Sequence, residues 1–195
     1  MRLLTGICAA GNSTRMGFDK LTTSPSLHSP DTLMTRVVAA VPRTDFVVAL
    51  PPEDHRYYAA RKSLLRPYDR SICVADPDQG IAETLKLLAQ TALAEEYDGL
   101  IILMADLPFL TRSHVESVIK IFEAFDGERV VRATCTDGDF GYPVILPAKV
   151  LPEFEALTGE QRVGVVLANH SVKRVNIGSK AACMHVNTPE DWRKI

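Results

Sequence analysis

No stretch of this sequence is both long and apolar enough to span a membrane, so a spanning helix is excluded. Positive charge is not in excess: 22 Lys and Arg face 24 Asp and Glu, a net charge of −2, with no basic block and no acidic tail. Gripping a nucleic-acid backbone needs a positive face, so nucleic acid is excluded as a main partner. A basic pocket for a small anion stays open. Cysteine is sparse, only Cys8, Cys73, Cys135 and Cys183, with no CxxC pair, and three of the four lie in apolar runs. The expectation is reduced, buried thiols in a cytoplasmic protein. The five histidines show neither HxH nor HExxH spacing, so no histidine-bound zinc site is expected. Repeats and low-complexity segments are missing. The start, Met1 to Cys8, superficially resembles a secretory signal, but its apolar run is too short and Ile7 is a poor residue before a cleavage or lipidation site.

What remains is a globular composition, 46% hydrophobic and 24% charged, in 195 residues: one domain, 1–195, with room for a good core. Strand-like and helix-like patterns alternate. Short apolar runs at Leu3–Cys8, Phe46–Leu50, Ser71–Val74, Gly99–Met104, Val130–Thr134 and Val144–Leu146 read as strands. Asp54–Leu65, Ile81–Ala94 and a stretch capped by Thr111 read as helices, the last with Val115, Val118, Ile119 and Phe122 on one face. Asp137 to Pro143 reads as a turn-rich loop, and Thr22 to Pro30 as a polar, Pro/Ser-rich one. This order predicts an α/β fold, a three-layer α/β/α sandwich on a mostly parallel sheet. Ligands of open α/β sheets sit at the carboxyl ends of strands. The loops after Cys8, Val74, Met104 and Thr134 are therefore expected to share one crevice.

The loop after the first strand carries the strongest chemistry. Ala9-Ala10-Gly11-Asn12-Ser13 is small enough to turn tightly and expose consecutive N–H groups, and Arg15 and Lys20 follow. A backbone cradle with two cations suits a triphosphate. It is not a Walker A loop: Gly6 and Gly11 have its spacing, but Asn12 and Ser13 stand where Lys-Ser/Thr is needed. No GxGxxG occurs here either. Asp106, just past the most apolar strand, can hold Mg²⁺, which takes few carboxylates plus substrate phosphates. An Asp there can equally serve as a loop or capping residue. Thr188-Pro189-Glu190-Asp191 reads as a helix start.

The string Ala9-Ala10-Gly11-x-Ser13-x-Arg15-Met16-Gly17-x-x-Lys20 resembles the AAGxSxRMGxxK signature of the MobA-like nucleotidyltransferases. That family includes molybdenum cofactor cytidylyl- and guanylyltransferases. Further resemblances run along the chain. Ala105-Asp106-Leu107-Pro108 is similar to the family's GDxP metal motif, and His185 to Trp192 to its NxNTPE-like motif. Asp76 to Leu85 resembles a shortened NPxxxxGMxxSL, which faces base and ribose. Gly141-Tyr142-Pro143-Val144 is similar to GHPV with Tyr142 for His, and Gly159 to Arg162 only loosely resembles GDxGAR, with the Arg out of register.

The resemblance implies a Rossmann-like nucleotidyltransferase fold. It implies transfer of an NMP from an NTP to a phosphorylated small-molecule acceptor, of molybdopterin type, with release of pyrophosphate. Arg15 and Lys20 would act on the α-phosphorus and the leaving pyrophosphate. Asp106 with Asn187 would hold Mg²⁺. Nucleotide contacts would come from Ala9 to Ser13, Asp76, Gly80 and Thr84, and acceptor contacts from Tyr142 and Asn187. Ala9-Ala10-Gly11 leans towards CTP, whereas Asn187 is a feature of the guanylyl branch that uses GTP. A sugar-phosphate nucleotidyltransferase remains an alternative. So does a non-catalytic nucleotide-binding relative, which Tyr142 and Asn187 favour and the joint presence of Arg15, Lys20 and Asp106 opposes.

Overall fold

The chain runs through β1 (Leu3–Cys8), α1 (Leu33–Ala40), β2 (Asp45–Leu50), α2 (Tyr58–Ser63) and β3 (Arg70–Cys73). It continues through α3 (Ile81–Ala94), β4 (Gly99–Met104), α4 (Arg112–Glu123), β5 (Val130–Thr134) and β6 (Phe140–Pro147). It closes with α5 (Val163–Leu167), β7 (Val172–Asn176) and α6 (Pro189–Trp192). The structure, a computed structural model, describes residues 1–25, 30–42, 44–178 and 180–195. The polar loop expected over Thr22 to Pro30 therefore lies in part, at 26–29, outside the described residues.

β1 is buried along its whole length, and so is nearly all of β4. Strands apolar on both faces belong at the centre of a sheet covered on each side. Among the described residues seven strands form one sheet in the order β3-β2-β1-β4-β6-β5-β7. The left part, β3 to β4, is parallel throughout. β6 runs antiparallel to both β4 and β5, while β7 rejoins β5 in parallel. The sheet is thus mixed, though most of its pairings are parallel as expected. The crossovers β1–α1–β2 and β3–α3–β4 travel in opposite directions. Right-handed connections then put α1 and α3 on opposite faces, which gives the three layers. Between β1 and β4 the chain order diverges, and in sheets of this kind a crevice opens there.

Local sequence explains the close packing. α3 turns Ala82, Leu85, Leu88, Ala89 and Ala92 inwards. It approaches β1 so closely that a Cβ on Gly6 would stand 2.8 Å from a Leu88 methyl. Gly6 is therefore a packing residue, which accounts for it without any phosphate-binding role. Thr111 caps α4 as expected, with Val115, Val118, Ile119 and Phe122 buried.

Three expectations are corrected. The helix expected over Asp54–Leu65 spans only Tyr58–Ser63, because turns occupy its ends. The turn-rich loop ends at Asp139, since Phe140, Gly141, Tyr142 and Pro143 already belong to β6. Proline is tolerated there because the β5–β6 ladder shifts register between Arg132 and Thr134, so no N–H is required of Pro143. Finally, the thiols are not all free. Cys135, at the end of β5, and Cys183 form a disulfide, with Cα atoms 6.2 Å apart across 48 residues of sequence. The contact of β6 with the turn before Cys183 brings them together, and no sequence spacing announces it. Cys8 is buried and free; Cys73 is exposed. No helix among the described residues is long and apolar enough to cross a membrane.

Gly80 offers a direct test of packing. It has φ +98°, and a Cβ there would lie 2.3 Å from the Gly159 carbonyl oxygen. Backbone strain and overpacking add, so Gly80→Ala is expected to destabilise the fold by about 3 kcal/mol. Urea denaturation reads this directly, and an unchanged midpoint would refute it.

Candidate active site

The carboxyl ends of β1 and β4 deliver the first loop and Asp106 to the same cleft. The Ala9 N–H donates to the Ala49 carbonyl at 3.0 Å, the last ladder bond before the loop leaves the sheet. Ser13 then takes φ +50°, uncommon for a residue with a side chain, and Met16 N–H closes a turn onto the Ser13 carbonyl at 3.0 Å. Such left-handed turns gather N–H groups into an anion-binding concavity. A Cβ on Gly11 would meet nothing within 4 Å, so the loop has open space above it. Asn12 Oδ1 and Ser13 Oγ are buried atoms with no partner among the described residues. Orphaned polar atoms at the mouth of a cleft fit a site built for a polar ligand.

Lys20 joins this loop to the far end of the chain. Its Nζ donates to Asp106 Oδ2 at 2.8 Å, to the Val186 carbonyl at 2.6 Å and to Asn187 Oδ1 at 3.2 Å. Three oxygens, one anionic, thus surround a single cationic atom. Burial pushes the Asp106 carboxyl up, but the hydrogen bond from His185 and the charge of Lys20 outweigh it and hold it down at about 2. His185 Nδ1 lies 2.8 Å from Asp106 Oδ1. Hard oxygen donors with one carboxylate suit a divalent ion that also takes phosphate oxygens. Among the described residues no cluster of three or more His, Cys, Asp or Glu forms a site closed by protein alone.

The segment after Val186 is fixed by the helix start foreseen at Thr188. Thr188 Oγ1 accepts from the Asp191 N–H at 3.2 Å, and Asp191 Oδ2 accepts from the N–H groups of Asn187 and Thr188 at 3.1 and 3.0 Å. This cap orients the residue before it, so Asn187 is both next to a cap and beside Lys20. Arg15 is exposed and reaches Asn187 Oδ1 at 3.5 Å. Tyr142 packs edge-on to His185, ring centres 5.9 Å apart. Burial first, and then Cys8, push the Tyr142 hydroxyl up to about 12, so it stays a neutral donor. Cys8, under the loop, is likewise pushed up to about 12 by burial and by Asp106, which leaves it an inert thiol.

The cleft lining brings together Ala9, Ala10, Gly11, Asn12, Ser13, Arg15, Lys20, Asp106, Tyr142 and Asn187. It does not include Asp76, Gly80 or Thr84. Asp76 instead caps a short 3₁₀ turn, accepting from the Asp78 N–H at 3.0 Å. It is Asp78 that accepts a hydrogen bond from the Asn12 amide. Thr84 is buried on the inner face of α3. Gly80 permits the backbone of Gly159 to approach, and the Ala82 N–H donates to that residue's carbonyl at 3.1 Å. That approach carries Glu160 and Arg162 to the cleft, beside Ile81. Sequence reading missed Glu160, His185 and Arg61, and set Arg162 aside as out of register. A family motif that slips by a residue can still deliver its cation when the loop is re-anchored.

A family model described as the MobA-like NTP transferase domain matches residues 6–175. Comparison with curated protein sequences finds no match. Among solved structures, Rv0371c from Mycobacterium tuberculosis H37Rv is similar, at TM-score 0.78 and 19% identity, over 100% of this chain and 97% of that one. The same mycobacterial protein is also known as a complex with manganese, at TM-score 0.75 and 18% identity, over 100% of this chain and 97% of that one. CMP:2-keto-3-deoxy-manno-octonic acid synthetase complexed with CTP aligns at TM-score 0.73 and 14% identity, over 100% and 96% of the two chains. At these identities the likeness to each structure is one of fold. Matched by the family model over most of its length, the chain belongs to the MobA-like NTP transferase domain family and is a nucleotidyltransferase.

Proposed function

We propose that the protein transfers a nucleoside monophosphate, CMP by preference, from its NTP–Mg²⁺ complex to a phosphorylated small molecule of molybdopterin type. The observation that carries this reading is the convergence of Asp106 Oδ2, Val186 O and Asn187 Oδ1 on Lys20 Nζ, next to the open N–H-rich turn at Gly11 to Ser13. An oxygen of the acceptor phosphate attacks the α-phosphorus. The bond from that phosphorus to the bridging oxygen breaks, and pyrophosphate leaves with the electron pair. Little covalent chemistry falls to the protein. The loop amides hold phosphate oxygens, and Arg15 and Lys20 meet the charge that builds on the α-phosphorus oxygens and the leaving group. Asp106 and Asn187 would hold Mg²⁺, which would add to the neutralisation of phosphate charge. Tyr142, neutral at working pH, donates a hydrogen bond to the acceptor. That similar folds are known as complexes with manganese and with CTP supports a divalent ion and a nucleotide as ligands.

The test is a pyrophosphate-release screen of the four NTPs with Mg²⁺, using molybdopterin and common sugar phosphates as acceptors. CTP is expected to exceed GTP in kcat/KM by roughly ten- to a hundredfold, the discrimination that differential base contacts can supply. Competition of the two in one assay decides it. A higher kcat/KM for GTP transfers the assignment to guanylyl transfer, and activity only with a sugar phosphate replaces the acceptor.

A further inference from the structure

Arg61 stands on α2, outside every motif that carries the nucleotidyl chemistry, yet it is the largest of the fully buried side chains among the described residues. Burying a guanidinium is strongly unfavourable unless its donors are matched. Here Nε donates to Asp19 Oδ2 at 3.0 Å and Nη2 to Asp19 Oδ1 at 2.8 Å, a two-point pair. Nη1 donates to the Ala9 carbonyl at 2.7 Å, and Nη2 also to the Gly11 carbonyl at 2.8 Å. All three accepting residues belong to the first loop. Arg61 therefore ties the two ends of that loop to each other.

Peptide geometry turns this tie into a constraint on direction. In a trans peptide the carbonyl and the next N–H point opposite ways. Drawing the Ala9 carbonyl onto Arg61 turns the Ala10 N–H away from it. Drawing in the Gly11 carbonyl does the same for the Asn12 N–H. Ala10 and Asn12 line the cleft, and neither N–H has an acceptor among the described residues. A peptide flipped the other way would offer a carbonyl oxygen to the same place, where it would repel an anion.

We propose that Arg61 is the positioning residue of the phosphate loop, fixing two peptide planes so that the Ala10 and Asn12 N–H groups face the phosphate oxygens. The inference rests on reading the cleft as a triphosphate site. It goes further in assigning the loop's competence to a side chain some fifty residues away in sequence (Ala9 to Arg61 is 52). Lysine cannot replace it. A single ammonium cannot hold Asp19 in two-point fashion and both carbonyls as well.

Inorganic tripolyphosphate is the probe, because it tests the loop without base or acceptor. Calorimetry on the wild type and on Arg61→Lys is expected to show binding weakened by about ten- to a hundredfold in the variant, the scale of lost charge-assisted contacts. Both proteins should still melt cooperatively, and affinity for the unphosphorylated nucleoside should stay unchanged, which a merely structural role would not give. In nitrogen-15 spectra of the wild type, the Ala10 and Asn12 amide protons are expected to move downfield as tripolyphosphate is added. Equal binding by Arg61→Lys, or amides at Ala10 and Asn12 that do not move, overturns the proposal. If Arg61→Lys fails to fold, the wild-type amide shifts decide alone. Tripolyphosphate binding with those shifts but no NTP binding leaves the clamp standing and defeats nucleotidyl transfer. NTP turnover with unmoved amides does the reverse, and no binding of either probe defeats both.

Discussion

Lys20→Ala is expected to lower kcat for nucleotidyl transfer by about a hundred- to a thousandfold, the scale for one lost electrostatic contact in a preorganised site. The lysine is half-buried, and its Nζ is already held beside the N–H-rich turn by Asp106, Val186 and Asn187, so that exchanging one of these oxygens for a phosphate oxygen suffices to engage the substrate. A cation held in place acts most strongly on charge that appears during the reaction, here on the α-phosphorus oxygens and the departing pyrophosphate. The effect should therefore fall on kcat more than on KM. Arg15→Ala is expected to do less, about tenfold, because Arg15 is exposed and its hydrogen bond to Asn187 is long at 3.5 Å. Single-turnover kinetics at saturating NTP measures both. A rise in KM alone, at unchanged kcat, would reduce the two cations to binding residues.

Asp106→Asn should produce the second large loss, roughly a thousandfold in turnover at ordinary Mg²⁺. The amide keeps the volume and one acceptor for Lys20 but removes the only negative charge among the three oxygens around Nζ. Excess Mg²⁺ should recover part of the activity. Unaltered Mg²⁺ dependence would rule out Asp106 as a metal ligand. The same change has a signature in acid. The Asp106 carboxyl is lowered from 3.8 to about 2, so its contribution to folding is complete above its unfolded value and disappears as pH falls through the folded one. The stability gap between wild type and variant should thus be widest above about pH 4 and shrink by about 2 kcal/mol on going below pH 2. Denaturation curves at several pH values check the slope.

The residues of the first loop and Asp106, which the structure brings together in the cleft, were legible because each stands on a local pattern. A strand, a tight turn and two cations lie within Leu3 to Lys20, and Asp106 follows the most apolar run by two residues. The period of apolar residues gave α3 and β4 to the residue. What stayed hidden depends on distance. Arg61 looked like any cation on a polar helix, because nothing local says that its fork is swallowed by a loop fifty-two residues earlier. Cys135 and Cys183 carry no spacing signal, and only the return of β6 brings them together. Asp76, Gly80 and Thr84 matched a motif by type, but the neighbouring backbone at Gly159 claimed that segment for packing. The antiparallel insertion of β6 also escaped, because strand direction is not written in hydrophobic period.

The Val186 N–H donates to the Asp106 carbonyl at 3.1 Å, and Lys20 donates back to the Val186 carbonyl, so the segment just before α6 closes one side of the cleft. During synthesis the strands β1 to β6 emerge well before Asn187 does. A growing chain can therefore assemble most of its sheet while Lys20 and Asp106 still lack their last partners. Domains fold as units once enough of their long-range contacts can form. Completion of the cleft would then wait on the segment around Asn187, and a chain cut before Val186 would keep the β1 to β6 strands but lose two of the three oxygens around Lys20 Nζ.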